Sequence, residues 1–167
     1  LSGDIEDKVV FDFGCGTGRL AIGALLLGAK EVVGVDMDHK VLETAEENLQ
    51  SIIDSKSAIK GSIKFVMSDI RNFSGRCDTV IQNPPFGIQK EHADRIFLEK
   101  ALECGRKIYS LHKDGYEKTR EFVTGLAGSK GGKVEKILSY KFPIPHMFAF
   151  HDKPKKEISV DLYVISK

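Results

Sequence analysis

Apolar and polar positions along the chain follow two periods in turn. Residues 8–13, Lys8-Val9-Val10-Phe11-Asp12-Phe13, form a β-branched and aromatic run ending in a glycine cluster, the pattern of a buried strand. Residues 20–27 are apolar at helical spacing and stop at Gly28. Residues 31–36 repeat the strand pattern, and Val41, Leu42, Ala45, Leu49 and Ile52 carry a helical period through 38–54. Glu43, Glu46 and Glu47 form the solvated face of that helix. Strand, helix and strand in this order make a βαβ unit, with parallel strands and a right-handed crossover.

The alternation continues with strands over 63–67 and 78–82, a loop, a helix over 94–105, a strand over 107–111 and a helix over 115–127. The ending differs. Residues 134–140 and 158–165 read as two strands with no helix between them, so they are expected to pair antiparallel, joined by a long loop over 142–157. Residues 125–132 are a glycine-rich turn, and no internal repeat or linker interrupts the pattern. The expected architecture is one α/β domain over 1–167, a doubly wound, seven-stranded, mostly parallel sheet with a C-terminal antiparallel strand pair.

Composition agrees and removes alternatives. With 167 residues, 41% hydrophobic and 29% charged, the chain is globular in type, neither collagen-like nor disordered. No apolar run approaches membrane-spanning length, and the start Leu1-Ser2-Gly3-Asp4 has neither the basic nor the apolar region of a secretory signal. Cys15, Cys77 and Cys104 are odd in number and far apart, which points to reduced thiols in a cytoplasmic protein. His39, His92, His146 and His151 show no metal-ligand spacing, so no metal is expected. The net charge of +1 hides a division: residues 1–82 carry 9 Lys/Arg against 13 Asp/Glu, and residues 83–167 carry 16 against 11. A basic second half suits a polyanionic partner, and equally a solvated lysine-rich face.

The first chemical signal lies where the first strand meets the first helix. Asp12-Phe13-Gly14-Cys15-Gly16-Thr17-Gly18 lets the backbone turn sharply and approach a ligand, and the helix start offers free N–H groups to an anion. The nicotinamide fingerprint G-x-G-x-x-G fails, because Arg19 stands three residues after Gly16. The spacing is G-x-G-x-G instead. Asp36 ends the second strand, where a carboxylate can accept both hydroxyls of a ribose or simply serve a turn.

The second signal is Asn83-Pro84-Pro85-Phe86-Gly87 at the end of the fourth strand. Two prolines fix the backbone, so the side-chain carbonyl of Asn83 and the main-chain carbonyl of Pro84 can converge on one NH₂ group. Accepting both hydrogens localises the nitrogen lone pair and aims it, which is catalysis by orientation and electrostatics. Phe86 offers a face for a flipped base.

With an acidic residue before G-x-G-x-G, the chain resembles the S-adenosylmethionine-dependent methyltransferases of the Rossmann-like class I fold. That resemblance implies cofactor contacts from Asp12, Gly14, Cys15, Gly16, Thr17 and Gly18, from Asp36 with Met37 at the ribose, from Asp69 with Ile70 at the adenine, and from Asn83. The match is closer with the archaeal and eukaryotic adenine-N6 methyltransferases that modify small-subunit ribosomal RNA. It rests on Asn83-Pro84-Pro85-Phe86-Gly87, Phe97-Leu98-Glu99-Lys100-Ala101-Leu102, Tyr109-Ser110-Leu111-His112-Lys113, Phe150-His151-Asp152-Lys153 and Val160-Asp161-Leu162. The family also has an N-terminal arm with a Gln-Tyr-Pro-Thr-like segment, and nothing before Leu1 matches it. The resemblance implies catalysis by Asn83, Pro84, Pro85 and Phe86, with S-adenosylmethionine as cofactor and RNA as substrate.

Other readings of the same residues stay open. Asn-Pro-Pro-aromatic also serves guanine-N2 methyltransferases, and methyltransferases of a glutamine side-chain amide, which usually carry tyrosine where this chain has Phe86. A non-catalytic cofactor- or RNA-binding scaffold is the alternative outside enzymes. His112 reads as a structural strand-end histidine, since methyl transfer to a neutral amine needs little base.

Two further expectations follow from an RNA substrate. Phe148 or Phe150 in the long loop is expected to line or cover the adenine pocket, with Lys153, Lys155 and Lys156 on phosphate. The family resemblance also implies a small zinc-binding activator protein. It would pair with the sheet edge at the third strand, where Ile63, Phe65 and Val66 are guarded only by Lys64.

Overall fold

The computed structural model describes residues 2–55, 59–85, 93–113, 117–144 and 156–167. Seven strands form one sheet: β1 (Val9–Phe13), β2 (Glu31–Asp36), β3 (Ser62–Met67), β4 (Cys77–Gln82), β5 (Gly105–Lys113), β6 (Lys133–Ile144) and β7 (Lys156–Ser166), in the order β3-β2-β1-β4-β5-β7-β6. The pairs among β1 to β5 are parallel, and β7 runs antiparallel to both β5 and β6. This is the expected doubly wound sheet with its antiparallel end.

Four α-helices complete the described structure: α1 (Arg19–Leu26), α2 (His39–Ser55), α3 (Ala93–Cys104) and α4 (Glu117–Ser129). They divide between the two faces as the strand periodicity requires. Val10, Val32 and Ile81 face Ala21, Ala24 and Leu25 of α1 on one side. Phe11, Phe13, Val80 and Ile108 face Leu98 and Leu102 of α3 and Val123 and Leu126 of α4 on the other. Strands β1 and β2 are buried on both faces and therefore read as mostly apolar runs rather than alternating ones. Edge strand β3 alternates instead.

Between β3 and β4 the chain crosses two strands without a helix. Phe73 fills the place a helix would take, edge-on to Phe11 at 5.3 Å and to Phe13 at 5.6 Å. A short 3-10 turn, Ser2–Asp4, precedes β1 and is tied down by the Tyr109 hydroxyl, which donates to Asp4 Oδ2 at 2.6 Å.

The long loop expected over 142–157 is shorter than the sequence implies. Phe142, Pro143 and Ile144 belong to β6, in register with Ile158, Glu157 and Lys156 of β7. Pro143 disguises the strand, and β6 tolerates it because it is the edge of the sheet. Likewise β5 starts at Gly105, directly after α3, and runs through His112 to Lys113.

The sheet order reverses between β1 and β4: β1 leads to β2 on one side, and β4 leads to β5 on the other. Ligands of open α/β sheets bind at such a switch point, beyond the carboxyl ends of the strands. The glycine loop follows β1 and Asn83 follows β4, so the fold delivers both to that place. No helix among the described residues is long and apolar enough to cross a membrane.

Candidate active site

Gly14, Gly16 and Gly18 all take positive φ, at 68°, 52° and 80°, which is why the loop needs glycine at alternate positions. Gly18 is doubly required: a Cβ there would stand 2.9 Å from the Phe65 ring and 3.0 Å from the Ala45 side chain. As the N-cap of α1, Gly18 has no side chain to cap the helix. Asp12 takes over, its Oδ2 accepting the Ala21 N–H at 2.9 Å from the end of β1.

The loop is held from β2 as well. Asp36 Oδ2 accepts the Gly16 N–H at 2.9 Å and Oδ1 accepts the Asp38 N–H at 3.1 Å. Asn48 of α2 donates to the Thr17 carbonyl at 3.0 Å. Burial pushes the Asp12 carboxyl up to about 7, opposed by the Ala21 N–H and assisted by the charge of Asp36. Its Oδ1 has no hydrogen-bond partner among the described residues. Burial, with Asp12 and Asp36 nearby, also pushes the Cys15 thiol up to about 12, so that thiol is protonated and unreactive.

A cleft of about 620 Å³ opens beside this loop, lined by Gly14, Val35, Asp36, Met37, Ser68, Asp69, Ile70, Arg71, Asn83, Pro85, Ile96 and Phe97. Six of the expected cofactor residues meet there: Gly14, Asp36, Met37, Asp69, Ile70 and Asn83. Met37 is 64% exposed, an apolar surface presented to the cleft next to a carboxylate. Asp12, Cys15, Gly16, Thr17 and Gly18 are not among the lining residues; Asp12 is 1% exposed, behind the loop. The Asp69 carboxylate is bound by the Arg71 guanidinium through both Nε and Nη2.

Asn83 and Pro85 are exposed at the cleft rim and Pro84 between them is buried. Phe86, Phe148, Phe150, Lys153 and Lys155 lie outside the described residues, and Lys156 is described only as the first residue of β7. Sequence reasoning missed Ile96 and Phe97 of α3. Phe97 reaches the glycine loop because Gly14 has no Cβ: one placed there would stand 3.0 Å from the Phe97 ring. His112, at the end of β5, is 3% exposed and burial holds its ring down to about 4, against the partial opposition of Asp94 and Asp161.

The site thus combines a backbone cradle, a carboxylate at each of two strand ends, apolar walls and an exposed carboxamide followed by prolines. Its volume falls in the range of small-molecule sites, and carboxylates beside apolar surface suit a nucleoside-containing ligand.

Comparison with known proteins agrees. The family model of the ribosomal protein L11 methyltransferase (PrmA) matches residues 3–83, just under half of the chain, from before the glycine loop to Asn83. An rRNA N(6)-adenosine-methyltransferase METTL5 from Danio rerio is 33% identical over 161 residues, covering 95% of this chain and 75% of the relative. The chain belongs to the METTL5 family. An uncharacterised protein of Methanocaldococcus jannaschii is 41% identical over 98% of this chain and 76% of its own length. A solved structure of a proposed RNA methyltransferase from Pyrococcus horikoshii superposes with a TM-score of 0.84 at 44% identity, covering 99% of this chain and 77% of that one. A ribosomal protein L11 methyltransferase of Haemophilus influenzae is 36% identical over 53% of this chain and 28% of its own length, so this part of the chain is similar to a wider set of methyltransferases.

Proposed function

We infer that this METTL5-family chain transfers a methyl group from S-adenosylmethionine to the exocyclic N6 amine of an adenine in RNA, in the small-subunit ribosomal RNA. The observation that carries the reading is that Asn83 and Pro85 border the same cleft as Gly14, Asp36 and Asp69. Two strands adjacent in the sheet therefore bring a nucleoside-binding surface and an amine-binding motif together.

The cofactor supplies an electrophilic methyl carried on a sulfonium sulfur. Asp36 keeps lone pairs free for ribose hydroxyls while accepting the Gly16 N–H, which holds the glycine loop in shape. Val35, Met37 and Ile70 give the apolar contacts of a nucleobase. The Asn83 carboxamide oxygen and the Pro84 carbonyl accept the two amine hydrogens, localising the nitrogen lone pair toward the methyl. Phe86, directly after the prolines, stacks the target base. Once the new N–C bond forms, the nitrogen carries a positive charge until its extra proton leaves. The neutral, buried His112 is not positioned by exposure to receive it, so the proton passes to solvent.

A cytoplasmic reaction is the reading supported by the odd number and wide spacing of Cys15, Cys77 and Cys104. A small zinc-binding activator protein pairs with β3, the end strand of the sheet, whose Met67 is 61% exposed. Co-purification from cells producing the chain tests that partner; recovery of no small zinc protein, with full activity of the isolated chain, removes it. Nucleoside analysis of ribosomal RNA from a strain lacking the gene tests the activity. Loss of one N6-methyladenosine from small-subunit RNA is the expected result, and loss of N2-methylguanosine instead would favour the guanine reading.

A further inference from the structure

Behind the Asn83 motif, on the face covered by α3 and α4, three polar side chains form a row across the carboxyl ends of β4 and β5. Gln82 is 1% exposed and donates its carboxamide N–H to Ser110 Oγ at 2.8 Å. Ser110 Oγ in turn lies 2.8 Å from His112 Nε2. All three are buried, at positions where an apolar side chain would cost less to desolvate.

A hydroxyl has one hydrogen to give. Ser110 Oγ accepts from Gln82 and is hydrogen-bonded to His112 Nε2, the ring tautomer deciding which of these two donates. The row therefore links Gln82 to His112 through a single hydroxyl. Tyr163 packs edge-on against the imidazole, ring centroids 5.3 Å apart, and fixes the ring plane. The other carboxamide atom, Gln82 Oε1, is buried without a hydrogen-bond partner among the described residues. Among the described residues, Ser110 is thus the one hydrogen-bond partner that orients the Gln82 carboxamide.

The row ends beside the catalytic motif. Gln82 is the last residue of β4, in register with Phe13 on one side and Ser110 on the other. Asn83 stands just beyond the ladder, and Pro84 and Pro85 have no N–H with which to anchor themselves. We propose that Ser110 and His112 are positioning residues for methyl transfer: by locking Gln82 they fix the point from which the Asn83 carboxamide reaches the amine. This rests on the role given to Asn83 above. A displacement of about 1 Å in a catalytic group costs as much as about a hundredfold in rate, so a lock one residue away is felt in kcat.

The test compares Ser110→Ala, His112→Leu and His112→Gln in the full chain, methylating a small-subunit ribosomal RNA transcript well below the melting temperature. Ser110→Ala removes one oxygen, so the fold persists, and His112→Gln keeps a side chain able to donate or accept toward Ser110. Ser110→Ala and His112→Leu are expected to lower kcat about tenfold with S-adenosylmethionine Kd unchanged within about twofold, and His112→Gln to recover most of the loss. A merely structural role would shift the melting temperature and leave kcat of the folded protein intact. Values of kcat within about twofold of the parent for both deletions, or a His112→Gln variant as slow as His112→Leu, overturn the proposal. Asn83→Ala in the same assay separates the two readings. If Asn83→Ala stays active, the role of Asn83 fails and takes this proposal with it; if it is inactive while Ser110→Ala is fully active, only the positioning role fails.

Discussion

The backbone N–H of Gly16 donates to Asp36 Oδ2 at 2.9 Å, tying the middle of the glycine loop to the end of β2. One carboxylate thus shapes the loop and borders the cleft. Asp36→Ala removes both contributions, and the expected result is S-adenosylmethionine binding weaker by about 2 kcal/mol or more, read by calorimetry. Unchanged affinity would reduce Asp36 to a loop tether.

Asn83 is exposed at the rim of that cleft, and its proposed contacts are to the amine at the moment of transfer. Asn83→Ala is therefore expected to leave cofactor binding nearly intact while kcat falls by at least about a hundredfold. Equal losses in affinity and rate would instead place Asn83 among the groups that hold the cofactor in the ground state.

Most of the fold was legible because period and burial coincide: β1 and β2 are mostly apolar and lie inside the sheet, while α2 shows a helical stripe. The glycine loop, Asp36, Asp69 and Asn83 were legible because each closes a strand. What stayed hidden depends on partners distant in sequence. Gly34 sits inside β2 because a Cβ there would stand 2.6 Å from Phe65 on the neighbouring strand, and nothing local announces that. Phe97 enters the cleft only because Gly14 leaves room. Pro143 hid the continuation of β6, whose pairing with β7 is set by the register of the whole hairpin. Gln82 was visible only as a polar residue ending a strand, and Ser110 and His112 only as part of Tyr109-Ser110-Leu111-His112-Lys113; their row needs the β4–β5 register.

Two buried groups give opposite pH dependences of stability. Asp12 is held at about 7 against an ordinary 3.8, so between these values the folded state keeps a proton the unfolded chain has lost, and stability falls as pH rises. His112 is held at about 4 against 6.5, so between these values the unfolded chain holds the extra proton, and stability rises with pH. Each slope is about 1.4 kcal/mol per pH unit, and over the shared window they offset one another. Asp12→Asn is expected to leave a stability that climbs from about pH 4 to about pH 6.5, and His112→Gln one that declines over the same interval. Urea midpoints at several pH values measure both; variants with the parent's pH profile would show that burial does not set these two protonation states.

The last prediction concerns the segment joining β6 to β7, which carries Phe148, Phe150, Lys153 and Lys155, with Lys156 opening β7. The strands on either side fix where its ends lie. In register, Lys113 at the end of β5 pairs with Val160, and β7 pairs with β6 for four further residues, as far as Lys156 and Ile144. Both ends therefore stand beyond the carboxyl end of β5, the same end of the sheet as Asn83 after β4. Aromatic then basic residues leaving that end suit a single RNA strand whose base stacks while its phosphates meet lysine. Each lysine on a phosphate releases counterions on binding, so replacing Lys153, Lys155 and Lys156 together by alanine should weaken RNA binding. It should also flatten the slope of log affinity against log salt by about 2. Cofactor affinity should not change, because the cleft lined by Asp36, Asp69 and Asn83 is built on other strands. RNA titrations at several salt concentrations that match the unaltered chain would remove this segment from the RNA-binding surface, and would leave the basic charge of the second half of the chain as a solvated face.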